Sequence, residues 1–506
     1  MRLKNILRNS FFGMISQFAL ILFGFFSQRV MNLTMGEELV GMNSVISNIV
    51  AILSVSELGI ASAIIFHLYG ALANQDKAKI VSLMNLYRKA YYIFATAIMV
   101  MGICIMPFVH LFLKDNSFSI SYIRLIYFLW LARTALSYLL SYKRSILIAD
   151  QKEYIVSIIT LFINVFNYSI VIAILTFWQN YQLALFLNII VQSALNLWIV
   201  QYVNRKYPYL KQNRKVPLEK GMTKTIFREI KNIFISRLSS KILVSTDNLI
   251  ISSFISVAIT GRYANYSLIS QSVCNVMLTL SQAVQPSIGN LFTEKNQEKN
   301  YQVLRQITFA FFLLASFCCA GLMSLMSIFV TDFWLRKSSQ LDTEVVIFCV
   351  INCYLFVIGL PAAMVMTVSG MFDKERNISI LYAMANLVIS LLLVKPFGIT
   401  GVLLGTSASY LIQIIFRIRT FFRNYLHKSS NIYLLDILQY TILSCLETAA
   451  AFFLVNRFYQ EKSLLSFLLA ILLCVALPSI INLLIFLKSW RMQSIFLMVQ
   501  ETIRNR

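Results

Sequence analysis

From Leu464 to Leu487 the chain runs without a single charged residue, and stretches of similar size and oiliness recur from one end of the sequence to the other. A bilayer core takes roughly 20 apolar residues per helix, and these runs are separated by short polar loops. A membrane barrel would instead show alternating strands of about ten residues. With charged residues at 13% and apolar ones at 58%, against about 25% charged in soluble domains, the sequence specifies an all-α polytopic membrane protein.

Hydrophobic segments are expected near 10–33, 40–66, 88–113, 121–142, 154–177 and 181–203, then near 232–256, 261–291, 302–330, 342–371, 377–394 and 398–422. Two more follow at 431–456 and 463–487, making about fourteen transmembrane helices. The long polar segment is Asn204–Lys231, with nine basic residues against Glu219 and Glu229, two prolines and a glycine. It reads as a basic cytoplasmic linker. The expected division is a six-helix lobe over 1–203, the linker over 204–231, a second six-helix lobe over 232–427, two additional helices over 428–487 and a basic tail over 488–506. The N-terminus resembles a signal peptide in its first half, but its apolar run is long and no small-residue cleavage site follows, so a retained first helix is expected.

Basic residues report sidedness, because cytoplasmic loops are enriched in them. If the N-terminus is cytoplasmic, 32 of the 44 Lys and Arg fall on that side. Arg29, Lys114, Arg262, Arg336, Lys337, Lys395, Arg457 and Lys462 fall on the other, while Arg124, Arg133, Arg237 and Lys241 lie within helices. Both termini are therefore expected in the cytoplasm, and the net charge of +23 reads as topology rather than nucleic-acid binding. The eight cysteines sit in apolar segments without metal-type clustering and read as packing residues.

An internal repeat appears at one offset. A shift of 223 residues lays Val40–Ser47 on Tyr263–Ser270, Asp150 on Asp373 and Tyr202 on Tyr425. Six helices per lobe is an even number, so the lobes enter the membrane from the same side as a parallel repeat.

Outer loops are short, and there is no D-x-D or Walker motif; His67, His110 and His427 are scattered. No catalytic or metal site is expected. The informative residues are polar ones inside helices. Trp130, Arg133, Thr134, Ser137 and Ser141 recur at helical spacing. An arginine at the bilayer centre costs roughly 2.5–3.5 kcal/mol on insertion scales, so Arg133 either pairs with a carboxylate such as Glu57 or lines a wet cavity. The first helix sets Gly13, Gln17, Gly24 and Gln28 on one face, with Arg29 beside it. These small residues also suit plain helix packing. The second carries Asn43, Ser47, Ser54 and Glu57, and its repeat partner carries Ser267, Gln271, Asn275, Thr279, Gln282 and Pro286. Rows of this length suggest a hydrophilic central cavity, although ordinary interhelical bonds explain single members. In the seventh helix Arg237 suits snorkelling, and Lys241 and Asp247 are about 240° apart, so they face different directions. Buried cations outnumber the carboxylates Glu57, Asp247 and Glu447, which favours an anionic cargo, and arginine pairs well with diphosphate.

The segments SQRVMNLTMGEELVGMNS, SELGIASAI and TDNLIISSFISVAITGRYANYSLIS together resemble bacterial polysaccharide flippases (Wzx-like) of the multidrug/oligosaccharidyl-lipid/polysaccharide exporter superfamily, over essentially the whole chain. The resemblance implies two six-helix lobes in a V shape, two additional helices, location in the bacterial cytoplasmic membrane and translocation of undecaprenyl-diphosphate-linked oligosaccharide. It places Arg29, Glu57 and Asp247 at family-like positions. Beyond it, Arg133, Lys241, Arg29 and Arg237 are the expected substrate-binding cations, Gln17, Gln28, Asn43, Gln271, Asn275 and Gln282 the polar lining, and Glu57 and Asp247 the coupling or structural carboxylates. No cofactor is expected beyond a proton or sodium gradient. Expected partners are the lipid-linked glycan, membrane lipids, and a polysaccharide polymerase and glycosyltransferases. A lipid II flippase, a multidrug or cation antiporter of the same fold and a membrane-embedded sugar-transferring enzyme stand as alternatives.

Overall fold

The computed structural model describes the backbone of residues 2–54, 64–65, 67–72, 74–150, 152–211, 222–293, 296–459 and 463–494. Side chains are described within these ranges except at 2–14, 140–141, 153, 211, 222–233, 236 and 293. The described residues form fourteen long helical segments and no strand. The first helix, Arg2–Leu53, is bent at Gly36 (φ 82°) into legs α1 (2–35) and α2 (37–53). Then come α3 (Lys77–Ile105), α4 (Ile120–Ser141), α5 (Glu153–Phe177) and α6 (Tyr181–Lys206). After the basic segment come α7 (Met222–Phe254), α8 (Val257–Thr293), α9 (Gln297–Ile328) and α10 (Thr343–Val368). Helix Phe372–Phe421 is bent at Gly398 (φ 58°) into α11 (372–397) and α12 (399–421). The chain continues through α13 (Asn431–Phe458) and α14 (Leu464–Phe486). Both bends use the left-handed φ that only glycine adopts without a Cβ penalty, so two adjacent spans are joined with almost no loop.

Nine of these helices, counting each bent one once, are long and apolar enough to cross a membrane. The other spanning-length helices, α4, α7 and α8, interrupt their apolar sequence with the very residues singled out above: Arg133, Lys241, Asp247, Gln271 and Asn275. The protein is a multi-pass membrane protein.

The repeat is visible in the helix ends. Ile105 closes α3 and Ile328 closes α9, 223 residues later; Ile120 opens α4 and Thr343 opens α10 at the same offset. The segments between begin in register too, a 3-10 turn at Met106 and a wider π turn at Phe329. The longest expected outer loop, 331–341, is thus partly helical, through Phe329–Trp334 and Lys337–Ser339.

The chain separates into two compact units, Met1–Ala264 and Asn265–Arg506. In the first, Leu39, Met42, Val45, Leu83, Tyr87, Tyr127, Leu131 and Leu147 form the core. The start of α8 belongs to this unit and crosses α2 at a pair of glycines. A Cβ on Gly41 would lie 2.0 Å from the Val257 carbonyl oxygen, and one on Gly261 would lie 1.9 Å from that of Glu37. Each glycine thus rests on the backbone four residues before the other, a reciprocal small-residue contact. Arg262 Nε pairs with Glu37 Oε2 at 2.6 Å beside it. The α7–α8 turn is further tied down where Val257 N donates to the Lys114 carbonyl and Lys114 N to that of Ser252.

In the second unit α10 is the central helix, with 78% of its most apolar stretch buried. Helices α13 and α14 dock on α9 through Ala320, Ala451, Val455, Ala470 and Cys474, and Phe312 stacks on Tyr440 with ring centroids 4.6 Å apart. Near one end of this contact Asp436 takes Arg305 Nε at 2.8 Å and Arg491 Nη2 at 3.0 Å. The eight cysteines are free thiols, and Cys319, Cys349, Cys353 and Cys474 are buried.

Candidate functional site

Five helical segments of the first unit converge on Arg133. It lies about 20 Å along α4 from Ile120, away from either end of that helix. Its Nε donates to Gln192 Oε1 of α6 at 2.8 Å, and its guanidinium carbon stands 5.1 Å from the centre of the Trp130 ring. Trp130 Nε1 donates to Asn43 Oδ1 of α2 at 3.0 Å, and the Tyr181 hydroxyl at the start of α6 donates to the same oxygen. The phenols of Tyr181 and of Tyr168, on α5, are within electrostatic reach of Arg133. Tyr168 stands against Gly24 of α1, where a Cβ would lie 3.6 Å from its hydroxyl oxygen.

This arrangement fixes the arginine by one nitrogen. Among the described residues no carboxylate pairs with Arg133 and its two terminal nitrogens meet no acceptor, although the side chain is only half-buried. A guanidinium anchored at Nε and open at Nη1 and Nη2 presents the paired donors that suit a carboxylate or phosphate. Its expected structural partner Glu57 lies outside the described residues; the partner that is described, Gln192, is neutral.

The other expected residues are placed as follows. Gln17 and Gln28 are half-buried on α1 and Arg29 is exposed. Asn43 is half-buried and engaged by Trp130 and Tyr181, so it orients the cluster. On α7 Arg237 is exposed and Lys241 half-buried, with no ion pair to Lys241 among the described residues. Asp247 is buried, with the Tyr263 hydroxyl 3.5 Å from its Oδ2. Lys241 and Asp247 thus differ in burial, as their angular separation requires. Along α8 Gln271, Asn275, Thr279, Gln282 and Pro286 are all exposed while Met277, Ser281 and Ile288 are buried. Gln271 Nε2 donates to Ser267 Oγ at 2.7 Å. The polar row of α8 therefore faces accessible space, whereas in the row that begins on α2 Asn43 is taken by α4 and α6, and Ser47 and Ser54 bond the Ser44 and Ala51 carbonyls.

Gln192, Tyr168 and Tyr181 have no advance signal in the sequence beyond their polarity, since nothing sets them apart from the polar residues beside them, Ser193, Asn167 and Gln182. The same holds for bonds in the second unit. Asn386 Nδ2 donates to Thr406 Oγ1 at 2.9 Å, Ser390 Oγ to the Val402 carbonyl at 3.1 Å, and Arg417 makes a two-pronged pair with Glu375.

Comparison with solved structures now bears on the whole chain. A structure titled lipid II flippase MurJ, in an inward closed conformation, superposes with a TM-score of 0.70 at 14% identity, covering 94% of this chain and 98% of that one. The fold is that of MurJ and the MATE transporters. An inward-facing multidrug resistance MATE family transporter of the MOP superfamily gives a TM-score of 0.65 at 15% identity, over 78% of this chain and 92% of that one. The Vibrio cholerae MATE transporter VcmN gives 0.57 at 15% identity, over 84% and 98%. No family model matches the sequence, and no curated protein matches it.

Proposed function

We propose that the protein is a flippase that moves polyprenyl-diphosphate-linked oligosaccharide across the cytoplasmic membrane by alternating access, with Arg133 holding the diphosphate or an acidic sugar. The observation that carries this reading is the mid-helix guanidinium fixed at Nε by Gln192, with both terminal nitrogens uncommitted among the described residues. Taking the hydroxyls and diphosphate of such a head group through hydrocarbon unpaired costs several kcal/mol per group. Polar and cationic side chains that stand in for water around the head group, Arg133 first, lower that barrier while the polyprenyl tail stays in lipid. Lys241, Arg29 and Arg237 supply further positive charge, and Gln17, Gln28, Gln271, Asn275 and Gln282 supply polar lining. Glu57 or Asp247 binds the coupling proton or sodium ion, and the polymerase and glycosyltransferases of a polysaccharide pathway are the functional partners.

The test is transport in vesicles reconstituted with lipid-linked oligosaccharide. Arg133→Ala combined with Lys241→Ala should abolish flipping while the protein still inserts; full transport by the double variant refutes the assignment. The structural likeness to MurJ keeps lipid II as the second cargo, and the likeness to MATE transporters keeps small cationic drugs as the third. Parallel assays with lipid II and with a cationic dye separate the three. Flipping that survives collapse of both proton and sodium gradients removes the coupling role of the carboxylates.

A further inference from the structure

The carboxylate of Asp436 serves two guanidiniums, so the cluster where α9, α13 and the segment after α14 meet holds one positive charge that it does not neutralise. Arg491 is spent there: its Nη2 donates to both Asp436 oxygens at 3.0 Å and its Nη1 to the Tyr440 hydroxyl. Arg305 keeps part of its fork open. Its Nε donates to Asp436 Oδ2 at 2.8 Å, and among the described residues its Nη1 and Nη2 donate no hydrogen bond, with the side chain 20% exposed. Two rings stand against it. Its guanidinium carbon is 5.5 Å from the centre of the Tyr301 ring and 6.0 Å from that of Trp490, which is exposed and also lies 5.8 Å from Arg491. Lys428, 5.6 Å from the same Tyr301 ring, is paired with Glu298.

The depth of the cluster limits what can reach it. Helix α13 has 28 residues and is about 42 Å long, so it exceeds a hydrocarbon core of about 30 Å by about 6 Å at each end. Asp436 lies about 8 Å along it from Asn431, which sets the cluster at the boundary between hydrocarbon and head groups. Around that level Leu435 and Leu438 of α13 and Leu484 and Leu487 at the end of α14 are each more than half exposed, a surface made for acyl chains. An arginine with an open fork, bordered by tryptophan and tyrosine at this depth, meets lipid phosphates. Charge then selects among the lipids. Asp436 is held by both arginines and Glu298 by Lys428, so these carboxylates are committed and an incoming ammonium group gains little, whereas one phosphodiester neutralises the excess charge.

We propose that Arg305 binds the phosphate of an anionic phospholipid, with Trp490 and Tyr301 framing the head group and the acyl chains lying along α13 and α14. The two terminal nitrogens of one guanidinium match two oxygens of one phosphate. The site is separate from the Arg133 cluster, and its test does not depend on cargo.

Native mass spectrometry of the purified full chain, titrated in turn with phosphatidylglycerol, phosphatidylcholine, a polyprenyl diphosphate and inorganic phosphate, reads the site. The expected result is a first phosphatidylglycerol bound more tightly than phosphatidylcholine, with Arg305→Gln weakening it about fivefold or more, the effect of one arginine at an anionic lipid surface. Lys488→Gln removes an equal charge from an exposed position nearby and should leave that affinity unchanged. Equal losses in the two variants mean attraction to diffuse charge and overturn the site, as does the absence of any preference over phosphatidylcholine. Displacement of the lipid by equimolar inorganic phosphate, or tighter binding of the polyprenyl diphosphate that Arg305→Gln abolishes, assigns the site to another phosphate and overturns it too. Stability gives a second readout, since a ligand of the folded state raises the thermal midpoint. Phosphatidylglycerol should raise that of the wild type more than phosphatidylcholine does, and the difference should shrink in Arg305→Lys, which keeps the charge beside Asp436 and loses the fork. An undiminished difference in Arg305→Lys refutes the assignment.

Discussion

Alanine at Gly261 tests the packing of α2 on α8 at a single atom. The added Cβ would stand 1.9 Å from the Glu37 carbonyl oxygen, where ordinary contact begins at 3.4 Å. The two backbones must then part by about 1.5 Å, since no flexible side chain is available to yield. Overpacking of this kind costs about 1–3 kcal/mol, and the main-chain obstacle puts this case toward the upper end. The separation also pulls Arg262 away from Glu37, which adds little because that arginine side chain is 37% exposed. Gly41→Ala meets the Val257 carbonyl at 2.0 Å and should behave alike. Gly321→Ala is the control, because a Cβ there meets nothing within 4 Å and alanine favours helix. Thermal unfolding of the purified variants in one detergent should give clearly lowered midpoints for Gly261→Ala and Gly41→Ala and none for Gly321→Ala. A Gly261→Ala protein that melts with the wild type would show that the helices do not cross at this distance.

Two further substitutions probe polar contacts. Asp436→Asn leaves Arg305 and Arg491 without their shared counter-charge and should cost about 3 kcal/mol, read as a lower thermal midpoint that Asp436→Asn with Arg305→Gln partly restores. Asn43→Leu strips Trp130 Nε1 and the Tyr181 hydroxyl of their common acceptor, worth about 1–3 kcal/mol for each group left unpaired; Ser47→Ala, whose hydroxyl serves only the Ser44 carbonyl, should leave the midpoint unchanged in the same melt.

The spans were legible in the sequence because hydrocarbon imposes one length and one solution for the backbone, so oily runs such as Leu464–Phe486 announce themselves. Their joints were less so. The bend at Gly398 makes one continuous helix of two spans, and glycine in an apolar run carries no mark of the φ it will adopt. The face holding Trp130 and Arg133 was visible from its spacing, as was the polar row of α8, because both are periodic on their own helix. The partners were not. Gln192 on α6, Asn43 on α2 and Tyr168 on α5 meet around Arg133 by tertiary packing, which no local periodicity encodes. A buried arginine is commonly matched to a carboxylate, and that habit points to Glu57, which lies outside the described residues; among those described, the amide of Gln192 satisfies one donor.

The turns that begin at Met106 and Phe329 close two helices 223 residues apart, and the next helices open in step at Ile120 and Thr343. Between these landmarks the two halves have the same number of residues. The chain therefore carries its own coordinate ruler: adding 223 to a position in α3 or α4 names its counterpart in α9 or α10. Paired substitutions along that ruler compare equivalent positions of two repeated elements inside a single molecule, where expression, lipid and assay are identical, and so isolate what each half contributes.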